Sequence, residues 1–468
     1  MTSAAVNGIL LLAGTIALAG CGGSSPLVET APSQPIVAAV AGLQGVAFGG
    51  QQPVTGMSLQ LYDAGSGGYG SAATGLLATP LPMTDSNGNF HFTIPACPHP
   101  SDQIYLVGTG GDPVAGNASN SGSTAANPNL ALMIALGNCS GLGSLPGLHM
   151  NELTTVAAVW ALAPFMSGST NAYQNIGTSS TNAPGLQMAF AAAQEVTNIS
   201  TGTVPGAAPS GATVETNEVN TVADVLEACI NSKGGTEGDS SPCGGLFAAA
   251  PSTSGGNYPT DTITAAMNIA QNPARSVGTL DALISNTPTF NPVVSGPTAF
   301  TIAINYGTTG GLNAPTALAT DQSGNIWVTN SGASTVSLFA NSGAVASGFP
   351  SSGATLAGTP GGIAIDLSGN AWISIPGNNS VVKVNSSGSV VTTVSNSSSI
   401  GMNGPTSIAI DGGGNIWVVN SASGANSVSA FTSSGSALGT SAFTGGGISA
   451  PVAIAINGNA NASCSDCH

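Results

Sequence analysis

Residues 315–330 read PTALATDQSGNIWVTN, and the phrase returns as PGGIAIDLSGNAWISI at 360–375 and PTSIAIDGGGNIWVVN at 405–420. A cut-short copy, PVAIAINGNANASCSD, occupies 451–466. The leading residues Pro315, Pro360, Pro405 and Pro451 lie 45, 45 and 46 residues apart. A period of about 40–50 residues with several strands in each unit is the mark of a propeller blade. The small/large alternation Ala-Ile-Ala-Ile suits a strand near a tapering interior. Asp-x-x-Gly-Asn then turns the chain, and Trp327, Trp372 and Trp417 open the next strand, where they are expected to wedge between blades. Asp321, Asp366 and Asp411 recur at one repeat position, which assigns them to the turn and not to catalysis. One blade cannot bury both of its faces, so blades must stack.

These phrases resemble NHL-type repeats and the propeller of the virginiamycin B lyase family. The lyase resemblance implies a catalytic His and a metal near the propeller axis, yet residues 300–467 contain no His. A gluconolactonase-like propeller implies a Glu/Asn/Asp metal set, and no Glu lies in that region. The expectation is therefore a binding or scaffold module. The alternative is a propeller-type lyase or lactone hydrolase whose catalytic part lies outside this chain.

Working back to the start, residues 8–19 read GILLLAGTIALA. About 12 apolar residues are too few for a bilayer span, which needs roughly 20, but they match the apolar core of a secretory signal. Leu18-Ala19-Gly20-Cys21 resembles a bacterial lipobox, which implies a signal peptide over 1–20 and lipidation of Cys21. Residues 1–8, MTSAAVNG, lack the Lys or Arg that such signals usually carry. Residues 21–36 read as a tether. Gly22, the residue after the Cys, is not the Asp associated with inner-membrane retention, so the resemblance implies an outer-membrane or surface lipoprotein, or else a secreted chain.

Residues 37–110 alternate as strands do. The order of strand, loop, Asp85-Ser86-Asn87-Gly88-Asn89 turn and strand resembles a carboxypeptidase regulatory-like, prealbumin-like β-sandwich. Asp85, Asn87 and Asn89 open like a calcium loop, but position twelve is Ala96 rather than the bidentate Glu, so a hairpin turn is expected. Gly65 to Gly70 fits G-x-G-x-x-G without the strand–helix context that dinucleotides need. Residues 127–285 shift to a helical period and read as a domain of four to six helices. There His149 and Glu152 are three apart, too few ligands for a metal, and Glu152 is expected to support a helix start.

The fold class expected is thus mainly β with a helical middle domain: a β-sandwich, an α-helical domain, then a partial propeller of three to four blades over 300–468. Charge narrows the partners. Lys plus Arg number 3 against 19 Asp plus Glu, for a net charge of −16. Three scattered cations cannot displace counterions from phosphate, so nucleic acid is excluded. Membrane contact is expected only through the lipid anchor, and the partner is an unidentified protein or glycan. Export permits disulfides: Cys229 with Cys243 across a Gly-rich loop and Cys97 with Cys139 are the candidate pairs, although spacing alone does not prove connectivity.

Cys464-Ser465-Asp466-Cys467-His468 matches the c-type haem attachment pattern. It falls where the repeat demands a strand, with no following domain to enclose a porphyrin. An incomplete or frame-shifted product is expected over a haem protein. No residue is assigned a catalytic or metal-binding role, and no cofactor is expected.

Overall fold

The computed structural model describes residues 42–113, 126–307, 309–340, 343–439 and 442–456. Cys21, Cys464, Cys467 and His468, with the signal, tether and haem readings placed on them, lie outside the described residues. Residues 42–456 belong to one compact unit.

The unit begins with strands β1 (Gly42–Gly49), β2 (Gln52–Pro53), β3 (Ser58–Asp63), β4 (Thr74–Gly75), β5 (Asn89–Thr93), β6 (Gln103–Thr109), β7 (Ala131–Asn138) and β8 (Leu148–Met150). One sheet joins β2, β1 and β5 antiparallel, with β8 added parallel to β1. The other runs β4-β3-β6-β7, antiparallel throughout. In β5, Phe90 and Phe92 face inward while Asn89, His91 and Thr93 face out, the alternation of a half-buried strand.

Two of these strands correct the sequence reading. Strand β7 and strand β8 fall inside 127–285, the segment read as helical. Strands β6 and β7 are buried along almost their whole length, because helices cover the second face of their sheet. A strand buried on both faces shows a continuous apolar run with no period of two, and periodicity cannot separate that from a helix.

Helices α1 (Glu152–Leu162), α2 (Ala183–Val196), α3 (Thr216–Ile230), α4 (Pro242–Ala249), α5 (Thr262–Gln271) and α6 (Val277–Asp281) supply the cover. Their starts follow local chemistry. Asn151 caps α1 by accepting from Thr154 N at 3.0 Å, Ser241 caps α4, and Asp261 caps α5 at Thr264 N. Pro242 sits in the first turn of α4, where no amide hydrogen is needed. The residues at the end of α3 are held from afar: Asn127 Nδ2 donates to the carbonyls of Cys229 and Ile230. One continuous core runs from Leu43 to Phe300 and takes in both sheets and the helices. The sandwich and the helices are therefore one packed body, not two domains with separate cores.

Two disulfides brace this body, Cys97–Cys139 and Cys229–Cys243. Their sequence separations are 42 and 14. Loop closure of that size stabilises by roughly 3–4 kcal/mol each in the chain-entropy picture. Reduction with a thiol is expected to lower the urea midpoint, and Cys97→Ser should cost more than Cys243→Ser. Equal midpoints before and after reduction would contradict this.

Strand β9 (Ala212–Val214) pairs antiparallel with β10 (Ile304–Tyr306), tying the first body to the repeats. Glu215 reinforces the join by accepting from Ala303 N and Asn305 Nδ2. The repeats then form three antiparallel meanders. The first is β11 (Pro315–Thr320), β12 (Ile326–Asn330), β13 (Thr335–Phe339) and β14 (Ala354–Thr355). The second is β15 (Ile363–Ile365), β16 (Ala371–Ile375), β17 (Ser380–Val384) and β18 (Val390–Ser395). The third is β19 (Pro405–Ile410), β20 (Ile416–Asn420) and β21 (Ser427–Phe431), with a bridge from Val428 to Phe443. Apolar cores fill the spaces between first and second and between second and third blades. The sheets do not close into a ring among the described residues.

Candidate functional site

The Asp-x-x-Gly-Asn turns share one geometry. Asp321 Oδ1 accepts from Ser323 N and Asn325 N, Asp366 Oδ1 from Ser368 N and Asn370 N, and Asp411 Oδ1 from Gly413 N and Asn415 N. Gly324, Gly369 and Gly414 hold φ between +76° and +78°, which only glycine adopts without strain. Asp85-Ser86-Asn87-Gly88-Asn89 in the sandwich repeats the pattern, with Gly88 at +74° and Asp85 Oδ1 bound to Asn87 N and Asn89 N. All these carboxylates are occupied in folding the turn. The hydrogen bonds hold the Asp85 and Asp411 carboxyls below the usual carboxylate range.

The tryptophans differ in what surrounds them. Trp327 and Trp372 are wholly buried, the first in the core shared with the second blade and the second in the core shared with the third. Trp417 is half-buried and stacks on Phe443 at 5.6 Å. Trp372 Nε1 donates to Asp366 at 3.1 Å and Trp417 Nε1 to Asp411 at 2.9 Å, whereas Trp327 Nε1 has no acceptor among the described residues. Lys383, paired with Asp366 at 2.9 Å, also lies over the Trp372 ring. A staple between blades escaped the sequence reading: Thr329 Oγ1 donates to Gly361 O, and Ser374 Oγ to Thr406 O. Both hydroxyls occupy the fourteenth position after the repeat proline, a place where a lone Thr or Ser gives no signal.

Three titratable clusters lie in the first body. His149 and Glu152 are not brought together. His149 stacks on Phe48 at 5.2 Å, and burial lowers its pKa. Glu152 is fully buried at the start of α1, and its Oε1 accepts from Gly50 N at 2.8 Å while Oε2 has no partner among the described residues. Burial pushes its pKa up to about 8, helped by Glu227 and Asp224 on α3. Burial likewise raises Asp224 to about 6. At the end of β3, burial and then the neighbouring Asp102 raise Asp63 to about 6, in a cleft of about 220 Å3 beside the start of α2. The third joins Glu195, buried near the end of α2, to the Tyr306 hydroxyl on β10, and burial raises the Glu195 pKa. These groups meet across 40 to 110 residues of chain, so no local motif announces them. No group of three or more His, Cys, Asp or Glu side chains among the described residues is arranged to hold a metal.

The Gly65–Gly70 loop is laced to the chain around residue 176, with Gly65 N donating to Ile176 O and Gly70 N to Gly177 O. Tyr69 adds a bond from its hydroxyl to Met166 O. No helix follows it, as a dinucleotide site would require. A larger, open cleft of about 650 Å3 is bounded by Gln44, Asp85, His91 and Ser200. A third, mainly apolar pocket of about 330 Å3 lies between α2 and the first blade. No helix among the described residues is long and apolar enough to cross a membrane.

No protein-family model matches the chain. No curated protein matches it either. Among solved structures, a streptogramin B lyase is similar at 19% identity and a TM-score of 0.25, over 31% of this chain and 45% of that one. The virginiamycin B lyase from Staphylococcus aureus is similar at 18% identity and a TM-score of 0.22, over 26% and 39%. A luciferin-regenerating enzyme is similar at 16% identity and a TM-score of 0.22, over 33% and 53%. The chain thus spans about half or less of the solved proteins it matches.

Proposed function

We propose that the chain is an exported, lipid-anchored envelope protein whose blade array is a binding module for a protein or glycan partner. The observation that carries this is the unequal treatment of the three repeat tryptophans. Among the described residues, Trp327 and Trp372 are sealed by a following blade, while Trp417 is half-buried and stacks on Phe443, itself 41% exposed. Among the described residues the third blade therefore presents apolar side chains that a further body would cover. Leu318, Leu367 and Val452, each at least 70% exposed, add apolar surface along the repeats. Two disulfides fit assembly in an oxidising compartment. Anchoring rests on Cys21 and its flanking small residues.

The test joins both parts. Cells expressing the chain are labelled with a tagged fatty acid, and a photo-crosslinking residue replaces Phe443. The expected result is a labelled envelope protein, loss of label in Cys21→Ala, and one discrete adduct from position 443 with none from exposed position 69. Absence of label removes the anchor. Absence of a position-specific adduct removes the binding face.

A further inference from the structure

The pocket between α2 and the first blade is walled by Met188, Ala189 and Ala192 on one side and by Leu312, Ile326 and Val328 on the other. Its volume, about 330 Å3, lies at the lower end of the range for small-ligand sites. Three further residues line it and give it chemistry: Tyr306, Phe339 and Glu195. The two rings stand 6.3 Å apart at 48°, forming an angled aromatic wall. The Tyr306 hydroxyl donates to Glu195 Oε2 at 3.3 Å.

Two glycines make room for those rings. A Cβ on Gly310 would stand 2.6 Å from the Phe339 ring, and one on Gly343 would overlap the Tyr306 hydroxyl. Both hold positive φ, +68° and +75°. Backbone and side chains together thus shape a hollow with aromatic faces and one carboxylate.

Among the described residues, no Lys or Arg is paired with that carboxylate. The chain's three cationic side chains are Lys233, Arg275 and Lys383. Arg275 is bound to Pro251 O and Asn272 Oδ1, Lys383 is paired with Asp366, and Lys233 follows α3 on the exposed loop inside the Cys229–Cys243 bridge. A buried carboxylate is costly without an opposite charge, and aromatic faces attract organic cations. We propose that this pocket binds a small apolar molecule carrying one ammonium group, its alkyl body against Met188, Ile326 and Val328 and its charge between Glu195 and the Tyr306 and Phe339 rings. The site is independent of the third blade and of the anchor.

The test is calorimetric titration of the full chain, without detergent, using three probes of one shape: n-hexylammonium, n-hexanol and n-hexanoate. Hexylammonium is expected to bind saturably at one site, at least tenfold more tightly than hexanol, and hexanoate not at all. Glu195→Gln, nearly the same size, should cut the ammonium affinity about tenfold and leave hexanol unchanged. Ala192→Phe, at a half-exposed helix position, should abolish binding of both while the far-UV circular dichroism spectrum stays the same. Should that variant fail to fold, Met188→Trp fills the same space. Equal affinity for the three head groups, no saturable binding, or binding that survives a folded filling variant would overturn the proposal.

Discussion

Stability is expected to fall as pH rises from about 4.5 to 8, and Glu152→Gln is expected to flatten most of that fall. The folded chain holds the Glu152 proton up to about pH 8, because burial disfavours the charge and Glu227 and Asp224 add repulsion. The unfolded chain releases it near the ordinary carboxylate value of about 4.3. Between those values the native state binds more protons, so stability is fully present below the unfolded pKa and is lost as pH climbs through the folded one. The interval is worth on the order of 5 kcal/mol. Asp224 and Asp63, both raised to about 6, act with the same sign. The turn aspartates act oppositely: Asp85 and Asp411 lie below their ordinary value, so their contribution vanishes only in stronger acid. Urea midpoints at pH 5 and pH 8 measure this. The variant should exceed the parent at pH 8, since a neutral amide removes a buried charge while its oxygen can still accept from Gly50 N. Parallel pH profiles for parent and variant would show that Glu152 does not govern the slope.

Trp372→Ala should be the most damaging single change in the repeats, costing about 3–5 kcal/mol. The side chain is wholly buried among Val381, Ile400, Met402 and Val418, and it carries a hydrogen bond to Asp366. Its loss opens a cavity between two blades that depend on each other for burial. Trp417→Ala removes a half-buried ring stacked on one phenylalanine and should cost about 1–2 kcal/mol. The comparison is made by urea unfolding followed through near-ultraviolet circular dichroism. Equal losses at the two positions would mean that Trp417 is as fully covered in solution as Trp372.

The repeats were legible in the sequence because what defines them is local. Asp411, Gly414 and Asn415 fold their turn with bonds spanning two to four residues, and the same phrase yields the same turn at Asp85 in an unrelated sheet. Strand β7 was not, since burial on both faces erased its alternation. Nor was the single core, because its continuity joins sheet residues such as Met133 to helix residues such as Val156 and Phe190 from distant parts of the sequence. The titratable clusters failed to show for a related reason. Glu152 looked like a helix-start carboxylate, and its perturbation comes from burial, with repulsion from Glu227 and Asp224 brought close in space. The ammonium pocket likewise joins residues 195, 306 and 339, which no motif connects.

The near-absence of cations also shapes how the molecule meets proteolysis. An enzyme that cuts after Lys or Arg finds only three positions in 468 residues. Arg275 and Lys383 are held by carbonyl, amide and carboxylate partners. Lys233 is exposed, but it lies between Cys229 and Cys243, whose bridge spans the cut. A nick there leaves both halves covalently joined. With its disulfides intact, the folded body thus offers basic-specific proteases a single opening that separates nothing.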